Sequence, residues 1–400
     1  MDTTELLDII RGGETSTVQL KQEMDEDKIA AEMIAMSNSK GGIILIGVKD
    51  KTGEVIGLTY EQLQLYNNRL ATIASDKVKP QLFIFTEVVS VVVKDEIKKV
   101  LLVTISEGLN KPYKDSNGTI WVKQGADKRK LTDNTEIMRL FQQSGNLLAD
   151  EMEVYSTSIE DIDEWLFADY FKREFKRTYQ EKGLTYEEAL KAKRVMRNGK
   201  VTLAGLMFFG KEPQAVKPAL TIKVVSFGGN SLSASQYRSK PEDLRGTIPE
   251  LFKQAMMFLK SSLHHIQQGQ GFNSIGILEI SQIALEEILQ NALLHRDYFK
   301  NAPVRVFIFD NRVEIISPGK LPNGLTVDEI KYGNPVIRNN LMVAFGIHTL
   351  PFSGLGSGIR RSLEVQPNIE LVNDVEGELF IVKIPRIEDP LIRGITVSSN

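Results

Sequence analysis

At 400 residues the chain is too long for one ordinary core, which implies two or three domains, and its 42% hydrophobic and 25% charged residues exclude a disordered polymer. A net charge of −3 excludes global attraction to nucleic acid, so any basic footprint must be local. Cysteine is absent, the N-terminus has no basic region ahead of an apolar core, and no stretch approaches the roughly 20 apolar residues of a membrane span; these features exclude thiol chemistry and predict a cytoplasmic protein.

Residues 5–11 read as a short amphipathic helix ended by Gly12 and Gly13. Glu14–Lys21 alternates enough for a strand, and Asp27–Met36 has helical spacing with Ile29, Met33 and Met36 on one face. The apolar run Ile43–Val48 predicts a buried strand, with a turn at Asp50–Gly53 and a return strand over Glu54–Leu58. A helix at Tyr60–Ile73 precedes strands at Leu82–Val93 and Val100–Ser106. Lys123, Lys128, Arg129 and Lys130 cluster beside Trp121, a pattern suited to phosphate contact plus stacking, although such runs are commonly just solvated faces.

Residues 141–200 are helical and charged, with helices predicted over Ile159–Phe175 and Thr185–Met196 and capping boxes starting at Ser158 and Thr185. Lys172, Arg173, Lys176, Arg177, Lys191, Lys193, Arg194, Arg197 and Lys200 make this the most basic part of the chain. They form either a second nucleic-acid surface or an exposed, salt-bridged helical face. A strand over Pro218–Phe227 and a long helix over Ile248–His264 follow. His264 and His265 have no third ligand spaced for zinc and read as surface.

The C-terminal third is organised around Glu279–Tyr298, EISQIALEEILQNALLHRDY. On a helix of about 100° per residue, Gln282, Glu286 and Gln290 form a solvent-facing stripe. Glu287 and Asn291 instead point with Ile280, Ile283, Ala284 and Ile288. Burying such groups unpaired costs on the order of 1–3 kcal/mol each. They therefore need backbone partners or a hard cation such as Mg²⁺. A hairpin, Val304–Phe309 with Val313–Ile316, leads into Ser317-Pro318-Gly319-Lys320, and Gly354-Leu355-Gly356-Ser357-Gly358 enters a helix at Ile359–Val365. The absence of a G-x-x-x-x-G-K-[ST] loop excludes a P-loop helicase.

These three C-terminal features in this order resemble the GHKL ATPase superfamily, most closely the branch typed by E-x-x-x-N-A-x-x-H-R-D-Y in bacterial predicted transcriptional regulators. The resemblance implies that Glu287 is the general base, that Asn291 holds Mg²⁺, and that Gly354, Gly356, Ser357 and Gly358 cradle the phosphates of ATP. Ser317 and Gly319 would stand at the base site, where typical members place an Asp, and Leu321–Ser353 would form a lid. His295 reads as structural, with Arg296 or Arg338 able to reach a phosphate. Residues 5–140, through VQLK, AAEMIAMSNSKGGIILIGVKDKTGEVIGL and Ile120–Gly125, resemble the Schlafen/AlbA-type DNA-binding domain. That likeness implies nucleic-acid contacts at Lys21, Lys40, Trp121, Lys123, Lys128, Arg129 and Lys130. It also implies a nuclease remnant at Glu14, Gln19 and Asp50; Gln19 is neutral where the pattern has a carboxylate, so binding rather than cutting is expected.

The fold expected is therefore an α+β multidomain chain: a Schlafen/AlbA-like α/β domain over 1–145, a helical and strand connecting module over 146–235, a Bergerat-type α/β sandwich over 236–390 and a tail over 391–400. The function expected is an ATP- and Mg²⁺-using regulator that binds DNA, or RNA, as a nucleotide-sensitive homo-oligomer. An ATP-gated nuclease and a non-catalytic nucleotide sensor are the alternatives.

Overall fold

The chain divides into two units, residues 1–147 and 148–400. The computed structural model describes residues 3–386 apart from 94, 146, 233–236, 267–275, 323–324, 334–335, 353 and 355, and apart from the side chains of 135 and 143.

The first unit is built on α1 (Thr3–Gly12), β1 (Val18–Lys21), α2 (Glu26–Ser37), β2 (Gly42–Ile46), α3 (Tyr60–Thr72), β3 (Ile84–Val93) and β4 (Glu96–Ile105). A hairpin of β5 (Trp121–Gln124) and β6 (Asp127–Lys130) and the helix α4 (Asn134–Gln143) follow. The sheet order is β1-β2-β4-β3, with β1 parallel to β2 and the other pairs antiparallel. The apolar run is the middle of this sheet, as continuous hydrophobicity requires, with Ile44, Leu45 and Ile46 buried. Gly42 makes the parallel pairing possible: its φ is +153°, and a Cβ there would lie 2.4 Å from the Thr17 carbonyl oxygen.

Two expected strands are shorter than their patterns suggest. Glu14 stays outside β1, because its carboxylate turns back to accept the Leu20 N–H at 3.0 Å. Glu54–Leu58 makes one bridge, Val48 to Val55, since Gly47 and Gly57 take left-handed φ values of +103° and +79° and bend the backbone out of register. α2 is buried from Ile29 through Ser37, Glu32 included, because it packs on the sheet on one side and on the β5–β6 hairpin on the other.

The second unit contains α5 (Glu164–Phe175), α6 (Tyr186–Ala192), α7 (Leu203–Phe209), β7 (Ile222–Phe227), β8 (Tyr237–Ser239), α8 (Ile248–Ser262) and α9 (Gln282–Leu294). After these come β9 (Val304–Ile308), β10 (Arg312–Pro318), α10 (Asn340–Thr349), α11 (Gly358–Val365), β11 (Glu370–Asp374) and β12 (Leu379–Pro385). Both expected capping boxes form, at Ser158 and Thr185. The helix expected over Ile159–Phe175 is split, because Asp163 accepts the Trp165 and Leu166 N–H groups and starts α5 afresh after a short turn. The helix expected over Thr185–Met196 narrows to α6, after which Met196 and Arg197 pair with Lys200 and Val201 as strand.

The six-stranded sheet runs β8-β7-β9-β10-β12-β11, antiparallel except for the parallel pair β7–β9. Tyr170 of α5, Phe209 of α7 and Phe345 of α10 meet with ring centroids 5.1–5.3 Å apart and fix α10. The helical wheel of α9 needs one correction. Gln282 and Glu286 face outward and bond at 2.5 Å, but Gln290 is fully buried and both its amide atoms lack a partner, while Ile283 is half exposed. The later turns of α9 are covered by α8, α11 and β10 together, so no solvent face persists there.

Asp150 caps α10 from far upstream in sequence, accepting the Leu341 and Met342 N–H groups at 2.7 and 3.2 Å. Burial outweighs those two bonds and pushes its carboxyl from 3.8 to about 6. The folded state thus holds this proton more tightly than the unfolded chain does. Its stabilising contribution is complete below about pH 3.8 and is lost as pH rises through about 6. Asp150→Asn keeps an acceptor without the charge and should remove a loss on the order of 3 kcal/mol between pH 4 and 7. Thermal melts across that range check this: the variant should gain several degrees on the wild type at pH 7 relative to pH 4, and parallel curves would refute it.

Candidate functional site

Helical periodicity sets Glu287, Asn291 and His295 one turn apart along α9. The first residue of α11 closes on them: a Cβ at Gly358 would sit 2.3 Å from Glu287 Oε2 and 3.2 Å from Asn291 Nδ2. Only glycine lets this backbone rest on the two side chains. Glu287 is 5% exposed; Arg361 of α11 donates to its Oε1, and its Oε2 has no partner. Asn291 Nδ2 is likewise buried and unpartnered. Burial raises the Glu287 pKa, and the Arg361 guanidinium opposes the rise.

Beside this pair lies a cavity of about 130 Å³. α9 contributes Ile288, Asn291, Ala292 and His295, and the sheet contributes Ile315, Ser317, Phe380 and Val382. Ser317 is buried and donates its hydroxyl proton to the Ala292 carbonyl at 3.2 Å, which leaves lone pairs for another donor. Arg338 donates to the Lys320 carbonyl at 2.7 Å. Burial, with Arg338 nearby, holds His295 neutral by lowering its pKa to about 4. Gly319, Gly354 and Gly356 all take positive φ values, +104°, +68° and +71°. Of the remaining glycine-loop and lid positions, 353, 355, 323–324 and 334–335 lie outside the described residues. The described part of the expected lid is not all loop, since it contains the short helix Val327–Lys331 as well as α10.

A small, mostly apolar cavity ending in convergent polar groups suits an organic ligand with a charged tail. Among the described residues no cluster of three His, Cys, Asp or Glu side chains could hold a metal by itself. An ion held at Asn291 would have to bring most of its own oxygen ligands, as Mg²⁺ commonly does. Arg361 was not singled out by the sequence reading; its position one turn into the helix after Gly358 was the available signal.

In the first unit, Glu14, Gln19 and Asp50 converge on Lys21. The ammonium lies 3.2 Å from Glu14 Oε1, 3.4 Å from Gln19 Oε1 and 3.9 Å from Asp50 Oδ2. Gln19 is buried and donates to the Ala126 carbonyl at 2.8 Å. The basic cluster is partly internal. The Lys123 side chain is 2% exposed and shares Glu32 with Lys128, at 3.4 and 2.7 Å. Arg129 makes a two-pronged contact with Glu136 at 2.6 and 3.0 Å. Lys130 stands 5.4 Å from the centroid of the half-buried Trp121 ring, and Lys40 is exposed. Sequence reasoning missed Glu32, although a carboxylate inside the apolar run of α2 is itself a signal.

Comparison with known families assigns three segments. Residues 14–132 match the model described as "Schlafen, AlbA_2", and residues 301–371 match "Putative ATP-dependent DNA helicase recG C-terminal". Residues 138–222 match a domain of unknown function, DUF8451. The chain thus has an N-terminal Schlafen/AlbA_2 domain and a recG-like domain of the HATPase_c_4 type in its C-terminal part. None of the curated proteins matches it. Among solved structures, the DIP2311 protein from Corynebacterium diphtheriae is similar at 18% identity and a TM-score of 0.47, over 96% of this chain and 80% of that one.

Proposed function

We propose that this chain, a Schlafen/AlbA_2 domain followed by a HATPase_c_4 domain, is an ATP-binding and slowly ATP-hydrolysing protein that binds nucleic acid under nucleotide control. The observation that carries the reading is the pair Glu287 and Asn291, whose buried Oε2 and Nδ2 atoms lack partners against the bare backbone of Gly358. Such atoms are costly unless a ligand completes them.

The site is of the GHKL type in this reading. Asn291 would hold Mg²⁺ through its amide oxygen, and the ion, when bound, would supply positive charge against the phosphates. Glu287 takes the proton of the attacking water. Arg361 opposes the rise in pKa that burial gives this carboxylate. Gly354, Gly356, Ser357 and Gly358 present backbone N–H groups at the start of α11 to the phosphates. Ser317 accepts from the base amino group while its own proton stays on Ala292, and Gly319 lets the chain pass close by.

In the first domain, Lys40, Lys130 and the edge of Trp121 lead the contact with DNA. Lys21, Lys123, Lys128 and Arg129 join it as their internal ion pairs exchange for phosphates. Lys21 at the centre of Glu14, Gln19 and Asp50 favours binding over cutting, because an ammonium already balances the carboxylates there. ATP closes the segment from Leu321 to Ser353 and changes contacts between copies of the chain, and with them the affinity for DNA.

Fluorescence anisotropy with labelled duplex, single-stranded DNA and RNA, over a salt series with and without Mg²⁺-ATP, tests the proposal. Binding should weaken steeply with salt and shift with nucleotide. Indifference of every nucleic acid to both variables would end it.

A further inference from the structure

Five of the basic residues between 172 and 200 are ion-paired. Arg173 pairs with Asp169 at 2.6 Å, Lys191 with Glu187 at 2.7 Å and Lys193 with Glu174 at 2.6 Å. Arg194 and Arg197 approach Glu151 and Glu153 at 3.4 and 3.9 Å. These residues form the salt-bridged face that the sequence allowed. Lys172, Lys176 and Arg177 differ: all are exposed, and none has an ion-pair partner among the described residues. Glu181 lies near Lys172 and Arg177, but its carboxylate already accepts the Thr178 N–H at 2.7 Å.

The same helix carries Trp165, whose side chain belongs to a residue 86% exposed. An exposed indole offers a flat face on which a base can stack. Trp165 and Lys172 are seven residues apart in α5, hence on one face and roughly 10 Å apart along the axis. Lys176 then ends the helix in the left-handed conformation, at φ +57°, and Arg177 follows it. An aromatic platform followed by three unpaired cations matches a strand that offers open base faces and regularly spaced phosphates. A duplex hides its base faces, whereas a single strand offers the ring a base and the cations phosphates at the same time.

We infer that Trp165, Lys172, Lys176 and Arg177 form a binding site for single-stranded nucleic acid, with one base stacked on Trp165 and phosphates on the three cations. The site lies in the second unit, apart from the residues proposed for the Schlafen/AlbA_2 domain, and does not depend on the ATPase reading.

The chain has two tryptophans, so Trp121→Phe makes Trp165 the sole reporter of emission. Titration with oligothymidylate or oligouridylate at low salt should quench that emission. Replacing Lys172, Lys176 and Arg177 together by Gln should weaken the quenching transition about tenfold and reduce the salt slope by about 2. Should Trp121→Phe fail to fold, the difference between wild type and Trp165→Phe gives the same signal. No quenching, an unchanged transition in the triple variant, or equal quenching by duplex or by anionic phospholipid vesicles would each overturn the inference.

Discussion

Glu287→Gln should lower Mg²⁺-dependent ATP turnover on the order of 10²–10⁴-fold while nucleotide affinity stays within about threefold of wild type. The expectation follows from the geometry. The carboxylate is 5% exposed and one oxygen is held by Arg361, so its orientation is fixed before any substrate arrives. Glutamine can still accept from Arg361, and the packing of α9 against α11 should survive. What it loses is the second oxygen as a proton acceptor. Phosphate release and equilibrium binding, measured on the same preparation, separate the two effects. A variant keeping a tenth of the turnover would show that Glu287 is not the base. Tight binding with no turnover even in the wild type would make the protein a nucleotide sensor.

Gly319→Ala should be the most damaging small substitution near the cavity. Its φ of +104° is strained for any residue with a side chain, and the added Cβ would lie 2.5 Å from Asp297 Cβ and 2.6 Å from Arg338 Nη1. Backbone strain and overpacking together should cost on the order of 3 kcal/mol and loosen the strand end that carries Ser317. Gly12→Ala is the matched control, since a Cβ there meets nothing within 4 Å. Denaturant melts of the two variants should differ by most of that amount; similar midpoints would mean that Gly319 tolerates a side chain. A fall in nucleotide affinity for Gly319→Ala alone would tie the cavity to the ligand.

How much of this was legible in the chain depends on whether the deciding contacts are local. The buried strand at Ile43, the capping boxes at Ser158 and Thr185 and the burial of Glu287 follow from spacing within one element, and the sequence shows them. Gln290 does not. Its wheel position is outward, and only the arrival of three separate elements around α9 encloses it. Lys123 reads as a surface cation until Glu32, on a helix some ninety residues earlier, is found beneath it. The pairing of β7 with β9 is equally silent, because a parallel neighbour leaves no turn signal between the strands. At the candidate sites, residue types and order were visible, whereas the cations that face them, Arg361 for Glu287 and Lys21 for Glu14, had to be located in space.

The parallel pairing of Ile222–Phe227 with Val304–Ile308 also sets a timetable for synthesis. At about 5–20 residues per second, a ribosome delivers the second strand roughly 4–16 seconds after the first. Until then Ile222, Val224 and Val225 lack the inner neighbour that buries them, and the hairpin that carries Ser317 does not yet exist. The cavity is therefore among the last parts of the second unit to form on the nascent chain, and a pause between the two strands prolongs the interval in which an apolar strand edge is open to other chains.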